Sequence, residues 1–229
     1  MQYTHIIVAT IVGFLFPLYA LITGKKARLY IIQNPEILDK VFQSTGIILL
    51  TMCGLVIASM LINSTPMSTI GLFFVFNVWY VLALIVVCFA AYFIITKINL
   101  SDERLEKLKV GYKDVLYLMP ENENQYNASV AVSVIAGVCE EIIFRGFLYW
   151  QLQQYMPVYA AFILTNVIFG LGHAGTKLKN AIMTFVLGIL FSSTYVLTDS
   201  LWLAIALHII VDFQSMIIGY KLKQKMAST

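Results

Sequence analysis

Charged residues are scarce in this sequence. Asp, Glu, Lys and Arg make up 12% of its 229 residues, whereas hydrophobic residues make up 60% and the mean hydropathy is +0.83. A soluble domain of ordinary composition carries about 25% charged residues. So few charges cannot cover a hydrated surface, which excludes a soluble globular domain. The composition predicts an all-α polytopic membrane protein, because a helix satisfies its own backbone hydrogen bonds in lipid.

Cysteine is also scarce. Cys53, Cys88 and Cys139 are odd in number, and each lies within an apolar run without metal-type spacing. This pattern indicates reduced core residues and excludes a disulfide framework. The 15 basic residues exceed the 12 acidic ones only slightly, and they form no run interleaved with aromatic residues. The sequence therefore predicts the lipid bilayer and no nucleic acid as a partner.

Long apolar runs are abundant, and seven of them approach the length of about 20 residues that crosses a bilayer. No basic residue precedes the first run, and Lys25, Lys26 and Arg28 follow it, which indicates a retained helix and not a cleaved signal peptide. His5, at the start of that run, is expected to be an interfacial surface residue. The runs cover about residues 5–23, 46–62, 70–96, 128–150, 158–174, 181–197 and 201–220.

The distribution of positive charge predicts how these helices are oriented. Fourteen of the 15 Lys and Arg residues lie in the first, third and fifth loops and in the C-terminal tail. Because cytoplasmic loops are the ones enriched in Lys and Arg, the N-terminus is predicted outside and the C-terminus in the cytoplasm. Three segments follow from this arrangement. They are helices one to three with a charged cytoplasmic linker (1–127), a functional helix bundle (128–220) and a basic cytoplasmic tail (221–229).

The fourth apolar run is unusual because it contains Glu140, Glu141 and Arg145. Each charge near the middle of a membrane raises the free energy of insertion by roughly 2.5 to 3.5 kcal/mol. Each Val, Ile, Leu or Phe residue of the run lowers it by only about 0.3 to 0.6 kcal/mol. This helix is therefore a poor solitary span. It is expected to need polar partners on neighbouring helices.

The candidate partners are His173 in the fifth run and His208 and Asp212 in the seventh. Glu141 and Arg145 are four residues apart, which is favourable for an ion pair along one helix face, whereas Glu140 is rotated by about 100° and faces elsewhere. His208 and Asp212 also share a face. These positions predict one polar cavity in the middle to inner half of the membrane, open to cytoplasmic water.

The polar residues form three ordered motifs, Glu140-Glu141-x-x-x-Arg145, Phe169-x-x-x-His173 and His208-x-x-x-Asp212. Together they resemble the motifs of the CPBP intramembrane protease family, which includes the CAAX prenyl proteases and the bacteriocin-processing (Abi) enzymes. The resemblance covers about residues 128–220.

The resemblance implies an intramembrane endopeptidase of the bacterial cell membrane that acts on a membrane-associated peptide or protein and has no cofactor. Glu140 would be the general base and His173 would assist it. His208 and Asp212 would face the oxyanion. Glu141 and Arg145 would support the site.

One residue departs from the CAAX proteases, which carry Asn where this sequence has Asp212. An amide donates a hydrogen bond to an oxyanion, but an ionised carboxylate cannot. Asp212 is therefore protonated, or it orients His208, or the site works differently. Two histidines and two carboxylates, Glu140, His173, His208 and Asp212, would also suit Zn or another divalent metal, so a metal-dependent protease is an alternative.

Two functions of other classes remain open. One is a non-proteolytic membrane adaptor or bacteriocin-immunity protein on the same fold. The other is a proton- or ion-coupled transporter with Glu140 and Asp212 in a relay. The sequence disfavours the transporter, because it contains no internal repeat that pairs one half of the chain with the other.

Overall fold

The computed structural model describes residues 2–73, 77–97, 102–174 and 177–228, and over these residues the chain is helical and contains no strand. This confirms the predicted all-α membrane bundle. The α-helices are α1 (Gln2–Thr10), α2 (Phe16–Gln33), α3 (Leu38–Ile62), α4 (Val78–Lys97), α5 (Asp102–Tyr112), α6 (Glu123–Glu140), α7 (Tyr149–Gln153), α8 (Val158–Gly172), α9 (Leu178–Thr198) and α10 (Leu201–Ala227). Two π-helical stretches, Ile11–Leu15 and Glu141–Leu148, join α1 to α2 and α6 to α7 without a break.

Five helical stretches of the described chain are long and apolar enough to cross a membrane. They are Tyr3–Gln33, Pro35–Ile62, Val78–Thr96, Leu178–Thr198 and Leu201–Ala227. Two predicted spans are not among them. Helix α8 has only 15 residues, and the stretch from α6 to α7 carries the three charges of the first motif. The count of seven spans and their orientation therefore stay predictions.

Several observed boundaries differ from the predicted ones, and α10, for example, continues to Ala227 through most of the predicted tail. The first helix continues past residue 23 to Gln33, because Lys and Arg are good helix formers and the first strong break is Asn34-Pro35. The third span was predicted from residue 70, but α4 begins only at Val78. A 3₁₀ turn, Met67–Ile70, and Gly71 with φ 75° come first. Residues 74–76 and Gly175 lie outside the described residues.

Gly71 is needed for two reasons where it interrupts the third span. Its positive φ favours glycine, and a Cβ there would lie 2.4 Å from Cε2 of the Tyr195 ring. Its carbonyl oxygen accepts a hydrogen bond from the backbone N–H of Leu201 at 3.1 Å. This hydrogen bond therefore fixes the first residue of α10 against the turn at Gly71.

His5 is not the surface residue that the sequence indicated. It is 4% exposed, and its Nδ1 and Nε2 lie 3.2 Å from Ser59 Oγ and 3.1 Å from Thr65 Oγ1. The Ser59 hydroxyl donates to the Val56 carbonyl at 2.8 Å, so His5 Nδ1 donates to Ser59 Oγ. This histidine joins α1 to the end of α3.

The charged linker is both a surface element and part of the interior. Its 3₁₀ turn, Leu116–Leu118, is followed by Met119, which is 3% exposed. Asp114 forms an ion pair with Lys177, and the lysine lowers the pKa of this carboxyl below its ordinary value. Glu121 accepts a hydrogen bond from Lys223 at 2.5 Å. The linker is thus tied to the connection between α8 and α9 and to the end of α10.

Helix α6 lies at the centre of the bundle, against α3 on one side and α10 on another. A Cβ at Gly137 would lie 2.5 Å from Ile209 Cγ1 and 3.1 Å from the Ile209 backbone nitrogen. Only glycine permits this approach of α6 to α10. The helix pair that brings the first and third motifs together therefore depends on Gly137.

We expect Gly137→Ala to destabilise the protein by roughly 1 to 3 kcal/mol, since the new methyl group overpacks a contact with backbone atoms. Thermal unfolding of the purified protein in detergent measures the effect. Gly54→Ala on α3 is the matched control, because nothing lies within 4 Å of its Cβ position. The control should leave the melting temperature unchanged or slightly raised. Equal melting temperatures for the two variants would contradict this account of α6 packing.

Candidate active site

The first motif lies where α6 changes into the π-helical stretch. Glu140 is the last residue of α6, and every residue from Glu141 to Leu148 is buried. Such π-helical stretches occur frequently at functional sites, because they alter which side chains share a helix face. Here Glu141 Oε1 accepts a hydrogen bond from Arg145 Nη1 at 2.9 Å, and both side chains are 0% exposed. The structure thus contains the ion pair that the sequence indicated.

Arg145 is held by α8 and α9 as well as by Glu141. Its Nε donates to Ser192 Oγ at 3.3 Å, and the Ser192 hydroxyl donates to Asn166 Oδ1 at 3.0 Å. The Asn166 amide in turn donates to the Phe162 carbonyl at 2.9 Å, which fixes the orientation of the amide. The guanidinium carbon also lies 4.0 Å from the centre of the Phe169 ring. Hydrogen bonds from Nε and Nη1 and an aromatic face replace part of the water of this buried arginine, while Nη2 has no hydrogen-bond partner among the described residues.

Glycine is required beside this network. A Cβ at Gly188 would lie 2.6 Å from Asn166 Oδ1 and 3.0 Å from Arg145 Nη2. Both distances are too short for any side chain without movement of the polar groups. Gly188 therefore lets α9 approach close enough for Ser192 to bond to Arg145 and Asn166.

Glu141 bonds to His208 in addition to Arg145. Its Oε1 lies 2.7 Å from His208 Nδ1, and because an ionised carboxylate only accepts, Nδ1 carries the hydrogen. The imidazole also stacks on Phe191, with ring centres 4.7 Å apart and an interplanar angle of 17°. The orientation of His208 is therefore fixed by Glu141 and Phe191.

The second nitrogen of His208 faces the other two carboxylates. Nε2 lies 3.9 Å from Glu140 Oε2 and 3.7 Å from Asp212 Oδ2. Both distances are longer than a hydrogen bond. Nε2 therefore remains available to form a hydrogen bond with a molecule placed between the two carboxyl groups. One role considered for Asp212 was to orient His208. In this structure Glu141 orients His208.

One cavity of about 320 Å³ brings four of the predicted residues together, and Glu140, His173, His208 and Asp212 all line it. Glu141 and Arg145 do not. His173 is exposed, and of the other three Asp212 is the most accessible, with 34% of its side chain exposed, against 13% for Glu140 and 7% for His208. The six predicted site residues thus divide into a group on the cavity wall and an ion pair behind it.

The second motif links the ion pair to the cavity. His173 follows the end of α8, and its Nδ1 lies 2.9 Å from the carbonyl oxygen of Phe169. The Phe169 ring covers the Arg145 guanidinium at the same time. The spacing Phe169-x-x-x-His173 is therefore explained by one helical turn, in which the phenylalanine contacts the arginine and its carbonyl orients the histidine.

The structure offers no preformed metal site among the residues that it describes, because no three His, Cys, Asp or Glu side chains come together there as ligands. The metal-dependent alternative therefore rests only on the types of residue present.

Sequence reasoning missed Asn166, Ser192 and Gly188. Asn166 is the only amide in the apolar helix α8, and that was the signal for a buried polar partner.

Comparison with known proteins places a family match over this region. Residues 122–214 match the family described as "Type II CAAX prenyl endopeptidase Rce1-like". The chain is also 29% identical over 83 residues to "Putative membrane peptidase YdiL" of Bacillus subtilis (strain 168). That match covers 36% of this chain and 33% of the relative, so it spans about a third of that protein. No solved structure gives a significant match. The first two findings confirm the family resemblance of the three motifs.

We expect Arg145→Met to lower the free energy of unfolding by about 3 to 5 kcal/mol, because it leaves a buried carboxylate without its ion-pair partner. Combining it with Glu141→Gln should restore part of that loss. Unfolding of the purified protein in detergent measures both.

Lys109→Met is the control for this prediction. Lys109 pairs with Glu106 at 2.7 Å on the surface, with the two side chains 31% and 68% exposed. An exposed pair of this kind contributes about 0 to 1 kcal/mol. If Arg145→Met were as mild as Lys109→Met, the buried pair would not be the support of the first motif that we describe.

Proposed function

We propose that this chain, a member of the CPBP family of intramembrane proteases, is an endopeptidase that hydrolyses a peptide bond within the membrane. The observation that carries the proposal is the cavity whose wall holds Glu140, His173, His208 and Asp212. The substrate would be a membrane-associated peptide or protein. Two classes fit the family, namely prenylated C-terminal segments and hydrophobic peptide precursors.

Glu140 is suited to act as the general base. In this proposal its carboxylate accepts a proton from water while the water oxygen bonds to the carbonyl carbon of the substrate. His173, held through Nδ1 by the Phe169 carbonyl, uses its other nitrogen to orient the water. The electron pair of the C=O bond moves onto oxygen. When the intermediate collapses, the C–N bond breaks and Glu140 returns the proton to the leaving nitrogen.

His208 and Asp212 are suited to stabilise the oxyanion. Because Glu141 holds the Nδ1–H of His208, the ring donates from Nε2 as well only as the imidazolium, and in this proposal that Nε2–H points between Glu140 and Asp212, where the intermediate would lie. Asp212 contributes a second donor in its protonated form, as the amide of Asn does in the CAAX proteases. Glu141 and Arg145 do not touch the substrate in this mechanism and act by positioning His208.

The proposal is tested with purified protein in liposomes and two fluorogenic peptides, one ending in a prenylated CAAX sequence and one hydrophobic precursor-type peptide without a prenyl group. We expect Glu140→Gln to reduce cleavage by about 10²- to 10⁴-fold, because it removes the base and conserves shape. Glu106→Gln, at an exposed surface position, is the matched control and should cleave as the native protein does.

The outcomes separate the alternatives. Undiminished cleavage by Glu140→Gln would reject Glu140 as the base. Loss of cleavage by the native protein with a chelator, and its recovery with Zn, would favour the metal-dependent variant. Failure of the native protein to cut any membrane peptide would favour the non-proteolytic adaptor.

The role of Asp212 is tested by its pH dependence. If Asp212 donates as a carboxylic acid, native activity falls as rising pH removes its proton. Asp212→Asn supplies a permanent donor, so the variant should stay active and lack that alkaline decline. Asp212→Ala should lose about 10²- to 10³-fold, as expected for an oxyanion donor. The measurement is the cleavage rate of all three proteins from pH 5 to pH 9. An asparagine variant as inactive as the alanine variant would refute the donor role.

A further inference from the structure

A second cavity adjoins the first. It has a volume of about 490 Å³ and lies between α2, α3, the linker turn Leu116–Leu118, the end of α8 and the start of α9. We call it the outer chamber, and we call the cavity of Glu140 the inner chamber. The outer chamber holds no acidic or basic side chain among the described residues that line it, apart from His173. It is therefore suited to binding and not to proton transfer.

The two chambers meet at a shared set of side chains. These side chains come from four different elements, namely α3, the linker turn, the end of α8 and α9. They surround the opening between the two chambers, and we call them the frame. The shared residues are Thr45, Leu49, Leu118, His173 and Thr184. A molecule that extends through this frame would pass His173 and bring one of its bonds beside Glu140.

The lining of the outer chamber favours a polypeptide over a hydrocarbon chain. Apolar side chains such as Phe16 alternate with hydroxyl and amide groups, including those of Tyr19, Thr23 and Asn180. Within a membrane, the N–H and C=O groups of an extended peptide need hydrogen-bond partners, whereas a hydrocarbon chain has no use for them. Polar groups along a lipid-only groove would be costly and without function.

The threonines illustrate how such partners are available. Thr23 donates its hydroxyl hydrogen to the Tyr19 carbonyl at 2.8 Å, and Thr45 donates to the Val41 carbonyl at 2.9 Å. Each hydroxyl oxygen keeps lone pairs that can accept an N–H from a bound peptide. The absence of Asp, Glu, Lys and Arg from the described lining further selects peptide residues without charge.

We infer that the outer chamber binds an uncharged, extended segment of the substrate polypeptide on one side of the scissile bond and guides that bond through the frame to Glu140. This inference rests on the proposed function. It assigns to α2 and α3, which lie outside the matched region, the selection of which peptides enter.

The test compares two tryptophan substitutions at neighbouring positions of α2. Ala20 lines the outer chamber, whereas Leu21 is 42% exposed and does not line it. In liposomes with the unprenylated fluorogenic peptide, Ala20→Trp should raise KM and lower kcat/KM by about tenfold or more, because it fills the path of the substrate. Leu21→Trp should remain within about twofold of the native protein, and melting temperatures should show that both variants fold.

A second readout does not require cleavage. In the Glu140→Gln background, a photo-crosslinking phenylalanine replaces either Ala20 or Leu21, and the same peptide is added with a label on its backbone. We expect crosslinks to the peptide from position 20 and none from position 21. Because this arm reads binding alone, it tests the chamber even if the native protein proves not to be a protease.

Three results would overturn the inference. They are native kcat/KM in a folded Ala20→Trp variant, equal peptide crosslinking from both positions, and crosslinking from position 20 to lipid but not to peptide. The first of these, with Glu140→Gln inactive, would leave the proposed protease intact and remove only the outer chamber from its substrate path.

Discussion

The carboxylate of Glu141 is the interaction on which the rest of this structure depends. One oxygen accepts hydrogen bonds from Arg145 at 2.9 Å and from His208 at 2.7 Å, in a place that neither water nor lipid headgroups reach. Lipid cannot solvate any of these groups, so the burial of each one is tolerated only when the others are present. The helix that carries Glu141 and Arg145 is therefore stable only inside a bundle in which α10 supplies His208 and α9 supplies Ser192.

Adjacent positions on one helix thus have opposite surroundings. Glu141 points into the protein and is 0% exposed, and its Oε1 accepts hydrogen bonds from Arg145 and His208, while its Oε2 has no hydrogen-bond partner among the described residues. Glu140 lines a cavity, and the only ionisable nitrogen within 4 Å of its carboxylate among the described residues is Nε2 of His208, at 3.9 Å. A carboxylate that is buried in an ion pair away from water cannot take a proton from water, whereas one that faces a cavity can. The proposed mechanism therefore assigns structural support and chemistry to two adjacent residues.

Much of this arrangement could be predicted, because helical periodicity is a local property. The spacing of Glu141 and Arg145, and that of His208 and Asp212, fixes shared faces before any packing is known. Partners on different helices could not be obtained in this way. Asn166 and Ser192 meet Arg145 only because Gly188 lets two helices approach, and Glu141 reaches His208 only because of how α6 and α10 cross. His5 was misjudged for the same reason, since Ser59 and Thr65 are more than 50 residues away in sequence.

The site explains why the fourth predicted span has a poor affinity for the membrane. The proposed hydrolytic centre would need water, a base and donors for negative charge, and none of these is compatible with a helix facing lipid. Placing the charged helix at the centre of the bundle removes it from lipid, and Gly137 lets α10 close over it. The remaining polar groups border a cavity, where water can satisfy them. The residues that make the fourth predicted span unsuitable as a solitary helix are therefore the ones that require the neighbouring helices α8, α9 and α10.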